Sequence, residues 1–244
     1  MANGNDALSI NFDNGFGTIG NAYNVDTSVP GQVTLAGVSA MMEWAVGPSS
    51  GHGYGTYTVE AKLTGTQPGP AIVMWPGDNK WPGQEMDLVE LLPNGGGQQY
   101  ATLHWDEGGD AYVGKIFSGV SNNAWHQYQM VWEPGKVTIN VDGKQQAVFT
   151  DHVPTDYAHG GMNNTIGFLN TNANTSISVS QVDYVPLGGN GNSVVNNVVN
   201  TVSNTVASTV NTLGEPLLAD GSIDWYTLGA TVTANFHATG QWHL

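Results

Sequence analysis

The chain has no cysteine among its 244 residues. No disulfide framework can therefore hold it, and cysteine says nothing about its redox compartment. Positive charge is nearly as scarce. Lys and Arg together number five against 20 Asp and Glu, the formal net charge is -15, and the last basic residue is Lys144. A chain this acidic cannot bind nucleic acid through its phosphates. The charge suits a neutral or cationic partner, or bound cations. No apolar run reaches the length of a membrane-spanning helix. The first residues, Met1 to Asp6, show neither the basic nor the apolar region of a secretory signal. Helical periodicity is also missing before residue 186.

What is present is a succession of short strands between turns. Leu8 to Phe12, Gln32 to Leu35, Ser39 to Ala45, and Tyr54 to Leu63 read as strands, the last with clean alternation. Ala71 to Trp75 is an apolar run suited to a strand buried on both faces. Tyr100 to Trp105, Ala111 to Phe117, Gln127 to Trp132, Lys136 to Val141 and Gln145 to Phe149 follow, with Asp142-Gly143 marking a hairpin. Thr165 to Leu169 and Ser176 to Val185 complete the set. Many evenly spaced strands with turn chemistry predict an all-β sandwich or barrel.

One of these segments carries three acids. Glu85-Met86-Asp87-Leu88-Val89-Glu90 lies between the turn signals Trp81-Pro82-Gly83 and Pro93-Asn94-Gly95-Gly96. Side chains alternate along a strand, so Glu85 and Asp87 share a face, while Glu90, three residues further on, would point away. One residue absorbed in a bulge near Leu88-Val89 returns Glu90 to the same side. Two carboxyls flanking a scissile bond are what glycoside hydrolysis needs, about 5 Å apart when one of them attacks carbon. Glu85 and Glu90 are separated by roughly 13 Å of strand at 3.3 Å per step, so their side chains must lean together over a concave sheet. Asp87, between them, couples to both. Packed carboxylates cannot all ionise freely, and the raised pKa that results is what a general acid requires. The bare string also occurs on solvated acidic faces and in cation sites.

Several blocks in order, from about Leu8 to Pro186, resemble glycoside hydrolase family 16, the family of laminarinases, lichenases, agarases and carrageenases. They are Tyr54-Gly55-x-Tyr57 with Ala61-Lys62, the apolar block Gly69 to Pro76, and Trp81 to Glu90 in its bulged version. Thr102-Leu103-His104-Trp105, Trp125-His126-x-Tyr128, Val131-Trp132-Glu133-Pro134, Val141-Asp142-Gly143-Lys144 and Val182-Asp183-Tyr184-Val185 follow. Gln84 and Met86 stand where Gly and Ile are common in the family. The resemblance implies a concanavalin A-like jelly-roll sandwich of two antiparallel sheets with a concave substrate cleft over residues 1–186. It implies retention of configuration, with Glu85 as nucleophile, Asp87 assisting and Glu90 as acid/base. It also implies a structural calcium on the convex side, for which Asp183 and, more weakly, Asp13 are the matching acids.

Sugars offer apolar C–H faces that stack on aromatic rings. Trp81, in the turn before the acids, Trp105 and Trp75 are the candidates for this, each with core packing as its alternative. His104, one strand over, could hydrogen-bond a sugar or Glu90, or be a satisfied core histidine. The expected activity is that of a retaining endo-β-glycanase on β-1,3 or mixed β-1,3/1,4 glucan. The alternatives are an endo-hydrolase of a galactan or bacterial exopolysaccharide, a transglycosylase, and a non-catalytic carbohydrate-binding sandwich. No nucleic acid or membrane partner is expected, and oligomeric state is not legible.

Residues 187–244 differ in character. A Gly-rich linker at 187–191 leads to Ser193–Leu213, where Val recurs at helical spacing among poor helix formers. Thr231 to Ala238 alternates like a strand. The tail resembles the C-terminal secretion regions of bacterial type I exported proteins, which makes the protein extracellular by expectation. A packing or accessory segment is the other reading.

Overall fold

A computed structural model describes residues 7–43, 51–93, 96–156 and 164–188. The expectations placed on 193–213 and 231–238 lie outside these residues. Twelve strands and no helix occur among the described residues: β1 (Leu8–Ile10), β2 (Asn21–Asp26), β3 (Val33–Met42), β4 (Gly55–Thr64), β5 (Ala71–Trp75), β6 (Met86–Leu91), β7 (Gln99–Asp106), β8 (Asp110–Ile116), β9 (His126–Glu133), β10 (Lys136–Val141), β11 (Lys144–Phe149) and β12 (Thr165–Pro186). Hydrogen bonding runs β11-β10-β9-β4-β12-β5-β6-β7-β8, antiparallel throughout. The two end strands β11 and β8 come back into contact, so the sheet nearly closes into a jelly-roll sandwich.

The fold-over happens along β12. Its first part, Thr165 to Leu169, pairs with β5, and its second part, Ser176 to Pro186, pairs with β4. β3 runs along the same strand, and the register of that pair breaks between Asn172 and Ser176, opposite Gly37 and Ala36. Each of these strands therefore belongs to both layers. The sequence reads as two strands in each case because the bend residues, Gly37 and Asn172 to Thr175, look like turns. Asn170, with no exposed surface, stitches the bend. Its Nδ2 faces the carbonyls of Gly37, Asn172 and Thr175 at 2.6, 3.0 and 3.0 Å, and its Oδ1 accepts from Thr175 Oγ1 at 2.7 Å. Removing the amide strands buried carbonyls, each worth about 1–3 kcal/mol. Asn170→Ala is expected to lower stability by roughly 2–4 kcal/mol, read as an earlier urea midpoint at unchanged slope.

β2 escaped the sequence reading. It is an edge strand paired only with β3, its residues mostly exposed, and Asn24 takes φ 55° within it. It therefore has none of the alternation that marks a half-buried strand.

The layers enclose one main core. β4 shows the logic: Tyr57, Val59, Ala61 and Leu63 are buried, while Thr58, Glu60 and Lys62 between them are half-buried. They meet Tyr128, Met130 and Trp132 of β9 and, from the other layer, Ile72, Met74, Met86, Leu88, Leu103 and Phe168. The outward face of β3, β5 and β12 carries a second, smaller cluster: Ala40, Met42, Ala71, Val73, Trp75 and Leu169, with Trp81 packed on it. The acids lie on this face.

Candidate active site

The bulge expected in β6 is present. Asp87 pairs with Thr102 and Glu90 with Tyr100, so that Leu88 and Val89 together oppose Ala101, and the pairing with β5 shifts at the same place. Leu88 and Val89, consecutive in sequence, both bury completely in the main core. Two neighbours turned inward leave Asp87 and Glu90 turned outward, together with Glu85, which immediately precedes the strand.

The approach to β6 is braced. Asn79 N–H donates to the Pro76 carbonyl at 3.0 Å and Lys80 N–H to Asp78 Oδ1 at 3.1 Å. The Trp81–Pro82 peptide is cis. Gly83 is required here, because a Cβ would strike the Lys80 carbonyl oxygen and the Pro76 ring. Asn164 Nδ2 reaches the carbonyls of Met74 at 3.0 Å and Gln84 at 2.7 Å, and His104 N–H donates to the Glu85 carbonyl at 2.9 Å. Glu85 is thus anchored although it lies outside the strand.

All three acids are buried, at 4, 3 and 7 % exposure for Glu85, Asp87 and Glu90. Thr102 Oγ1 donates to Glu90 Oε2 at 3.0 Å, and the Tyr100 hydroxyl also hydrogen-bonds Glu90. Burial keeps Tyr100 a neutral phenol, and the charge of Glu90 adds to that. Burial, then the charge of Asp87, pushes the Glu90 carboxyl up to about 8, against the hydrogen bonds from Thr102 and Tyr100. Burial, then Asp87, also raises Glu85 well above the ordinary carboxyl range. Glu85 and Asp87 hydrogen-bond each other, which places one proton between them.

His104 sits beside this pair, not on Glu90. Its Nε2 is 3.4 Å from Asp87 Oδ2 and its Nδ1 is 3.0 Å from Asp110 Oδ1. Burial works against the charged ring, but the hydrogen bonds to Asp110 and Asp87 and the charges of Asp87 and Glu85 outweigh it and push His104 up to about 11. The groups of Glu85, Asp87 and His104 lie within 4.8 Å of one another. The trio is a buried cluster of titratable groups in which the imidazole lies between Asp87 and Asp110.

Trp81 is half-buried on this face and stacks on Trp75 at 5.5 Å and 17°. Trp75 is 2 % exposed, with Nε1 donating to Asn79 at 2.8 Å. Trp75 therefore supports the ring of Trp81, which is the more exposed of the two. On the far side of His104, Tyr112 stacks at 5.6 Å. A cavity of about 140 Å³ opens beside Glu90, between Leu92, Pro93, Tyr100 and Tyr112. Trp105 is not brought to this face. Alternation along β7 puts it with Ala101 and Leu103, and its ring stacks on His152 at 3.7 Å. Tyr100 and Thr102 were missed by the sequence reading, although they stand four and two residues before His104 and so share its face. Asp110 and Tyr112 depend on the β7–β8 register, which sequence does not show.

The acids put forward for calcium are elsewhere. Asp183 Oδ1 accepts from Gln181 at 2.8 Å, and Asp13 pairs with Asn11 at 2.9 Å. Neither joins a group of three acids or histidines among the described residues. The two do not by themselves form the oxygen cage calcium needs.

A bulged strand that turns three buried acids onto one face, with stacked aromatic rings beside them, suits a carbohydrate-cleaving enzyme, and comparison with known proteins agrees. The sequence matches Glycosyl hydrolases family 16 over residues 16–185, well over half of the chain. The protein belongs to this family and is a glycoside hydrolase. No curated protein matches it by sequence. Among solved structures it is similar to a Bacillus licheniformis β-glucanase, with TM-score 0.57, 16 % identity, and coverage of 74 % of this chain and 98 % of that one. The laminarinase catalytic domain of Thermotoga maritima superposes with TM-score 0.51 at 18 % identity, covering 74 % and 97 % of the two chains. A family 16 endo-glucanase from Bacteroides ovatus, in complex with G4G3G-2F-DNP, gives 0.52 at 16 %, covering 73 % and 94 %. At these identities the likeness is one of fold.

Proposed function

We propose that this enzyme cleaves internal β-1,3 or mixed β-1,3/1,4 linkages of a neutral β-glucan with net retention. The observation that carries the reading is the bulged β6, which sets two carboxyls on one face with a third acid between them. Glu90, protonated at neutral pH, gives its proton to the glycosidic oxygen. Glu85 attacks the anomeric carbon from the opposite face, and the glycosyl–Glu85 ester forms as the aglycone leaves. Water, deprotonated by Glu90, then opens the ester, and the two inversions sum to retention. Asp87, hydrogen-bonded to Glu85, assists by holding that carboxyl in position for attack. The formal charge of -15 disfavours sulfated or uronic polymers. Glucanase and laminarinase structures among the similar folds support the choice of glucan.

A reducing-sugar assay on laminarin, mixed-linkage β-glucan, agarose and carrageenan, with Glu85→Gln as control, tests this. Turnover of the first two substrates is expected, with the anomer of the first-formed product the same as in the substrate. Binding without turnover by the wild type would sink the enzyme reading, and lengthened chains among the products would mark a transglycosylase. Trp81→Ala is expected to raise KM about tenfold with a smaller change in kcat, since the ring stacks on the sugar before and during reaction. Initial rates over a substrate series check this.

A further inference from the structure

Three strands meet at His104. The acids come from β6 and the residue just before it, the imidazole from β7, and Asp110 from the first position of β8. We propose that Asp110 is a positioning residue of this site: by accepting the Nδ1 proton of His104 it turns Nε2–H onto Asp87 and keeps a positive charge against the acids of β6. The inference rests on the glycosidase reading for its kinetic consequence but not for its structural one.

The site needs such a charge, and among the described residues no lysine supplies one. Glu85, Asp87 and Glu90 are buried together, and like charges in a dry site repel strongly unless a cation or shared protons offset them. Of the lysines, Lys80 pairs with Asp78 at 3.7 Å on a side chain 82 % exposed, Lys136 pairs with Glu133, and Lys62 lies over Trp125. Lys115 and Lys144 are exposed. The groups facing His104 are Asp87, Glu85 and Glu90 from β6, Asp110 and Tyr112 from β8, and Trp81 from the turn before β6. Asp110 alone among them meets Nδ1. A second carboxylate at the far nitrogen fixes both the orientation of an imidazole and the nitrogen that carries each proton. The His104–Asp110 pair is itself sheltered, the two side chains being 7 and 11 % exposed. The pairing follows from the tight β7–β8 hairpin, in which Asp106 faces Asp110 and His104 faces Tyr112.

Ring nitrogen NMR on the full chain, with His104 assigned through His104→Gln, tests the proposal directly. In the wild type the ring is expected to stay doubly protonated from pH 5 to past pH 9. A neutral ring at pH 7 in the wild type overturns the proposal whatever the variants do. In Asp110→Asn the midpoint is expected to fall by two pH units or more, and Asp110→Glu is expected to restore most of the wild-type behaviour. An unmoved titration in Asp110→Asn refutes the role. The pH profile of kcat/KM gives the second readout. Asp110→Asn is expected to lie near wild type at pH 5, where His104 keeps its proton, and to fall about tenfold by pH 8, with KM little changed. A loss equal at every pH indicates a merely structural role and also overturns the proposal. If the wild type turns over no glucan yet its ring titrates as described, the functional reading fails and the positioning role stands.

Discussion

Glu85→Gln is expected to lower kcat by at least about 10³-fold on polysaccharide while leaving substrate binding within a few-fold of wild type. The reason is geometric. Glu85 is anchored by its own carbonyl to His104 N–H, and the neighbours that tune it, Asp87 and His104, stay in place when its carboxylate becomes an amide. The variant loses the attacking oxygen and little else. Glu85→Ala sharpens the test. Azide fits where the carboxylate was, and an activated aryl oligoglucoside then yields a glycosyl azide of inverted anomer. The same treatment of Glu90→Ala, whose nucleophile is intact, yields the retained anomer. NMR of the two products assigns both roles at once. Identical anomers from the two variants would remove the proposed roles, and full activity in Glu85→Gln would remove the site.

Glu90→Gln is expected to change both rate and stability, in opposite directions. The wild type loses activity as pH rises through about 8, because Glu90 then gives up the proton it must donate. Glu90→Gln has no such limb, and its kcat on polysaccharide is about 10²–10⁴-fold lower. Aryl substrates, whose leaving group needs no proton, suffer less in the first step. For stability, the folded-state pKa of about 8 lies above the ordinary 4.5. The folded protein therefore binds the extra proton between these values, and stability falls as pH rises across that window. Above about pH 8 the penalty is complete. Glu90→Gln escapes it, retaining an oxygen that can accept from Thr102. A gain on the order of a few kcal/mol is expected at pH 9 and almost none at pH 4. Melting curves of both proteins across this range check it. A Tm difference that does not grow with pH would mean that Glu90 is ionised without strain in the fold.

Much of the site was legible before the structure, for reasons that lie in single strands. The faces of Glu85, Asp87 and Glu90 follow from a period of two and one inserted residue. The turn at Trp81-Pro82-Gly83 is local chemistry, and it puts the Trp81 ring on the face of the acids. Trp105, named as a stacking candidate with core packing as its alternative, lies on the opposite face of β7 from His104 and stacks on His152, because alternation sends neighbours to opposite faces. His104 was expected to meet a sugar or Glu90, or to be a satisfied core histidine; the β6–β7 register sets it against Asp87 and gives Glu90 to Tyr100 and Thr102. Asp110 could not be found at all, since its role exists only once β7 and β8 are paired. The strand count failed where β3 and β12 bend, because turn-forming residues at a bend look the same as turn-forming residues at a strand end.

The bulge in β6 also bears on how this sequence could change by insertion and deletion. Removing Leu88 would leave Glu-x-Asp-x-Glu, a run in which strict alternation puts all three acids on one face with no irregularity in the ladder. The acid face is thus compatible with two spacings one codon apart. What the shorter form would lose is a leucine wholly inside the main core. Selection on that codon would act through packing between the layers, and the chemistry could survive a change of length that looks, in an alignment, like a broken motif.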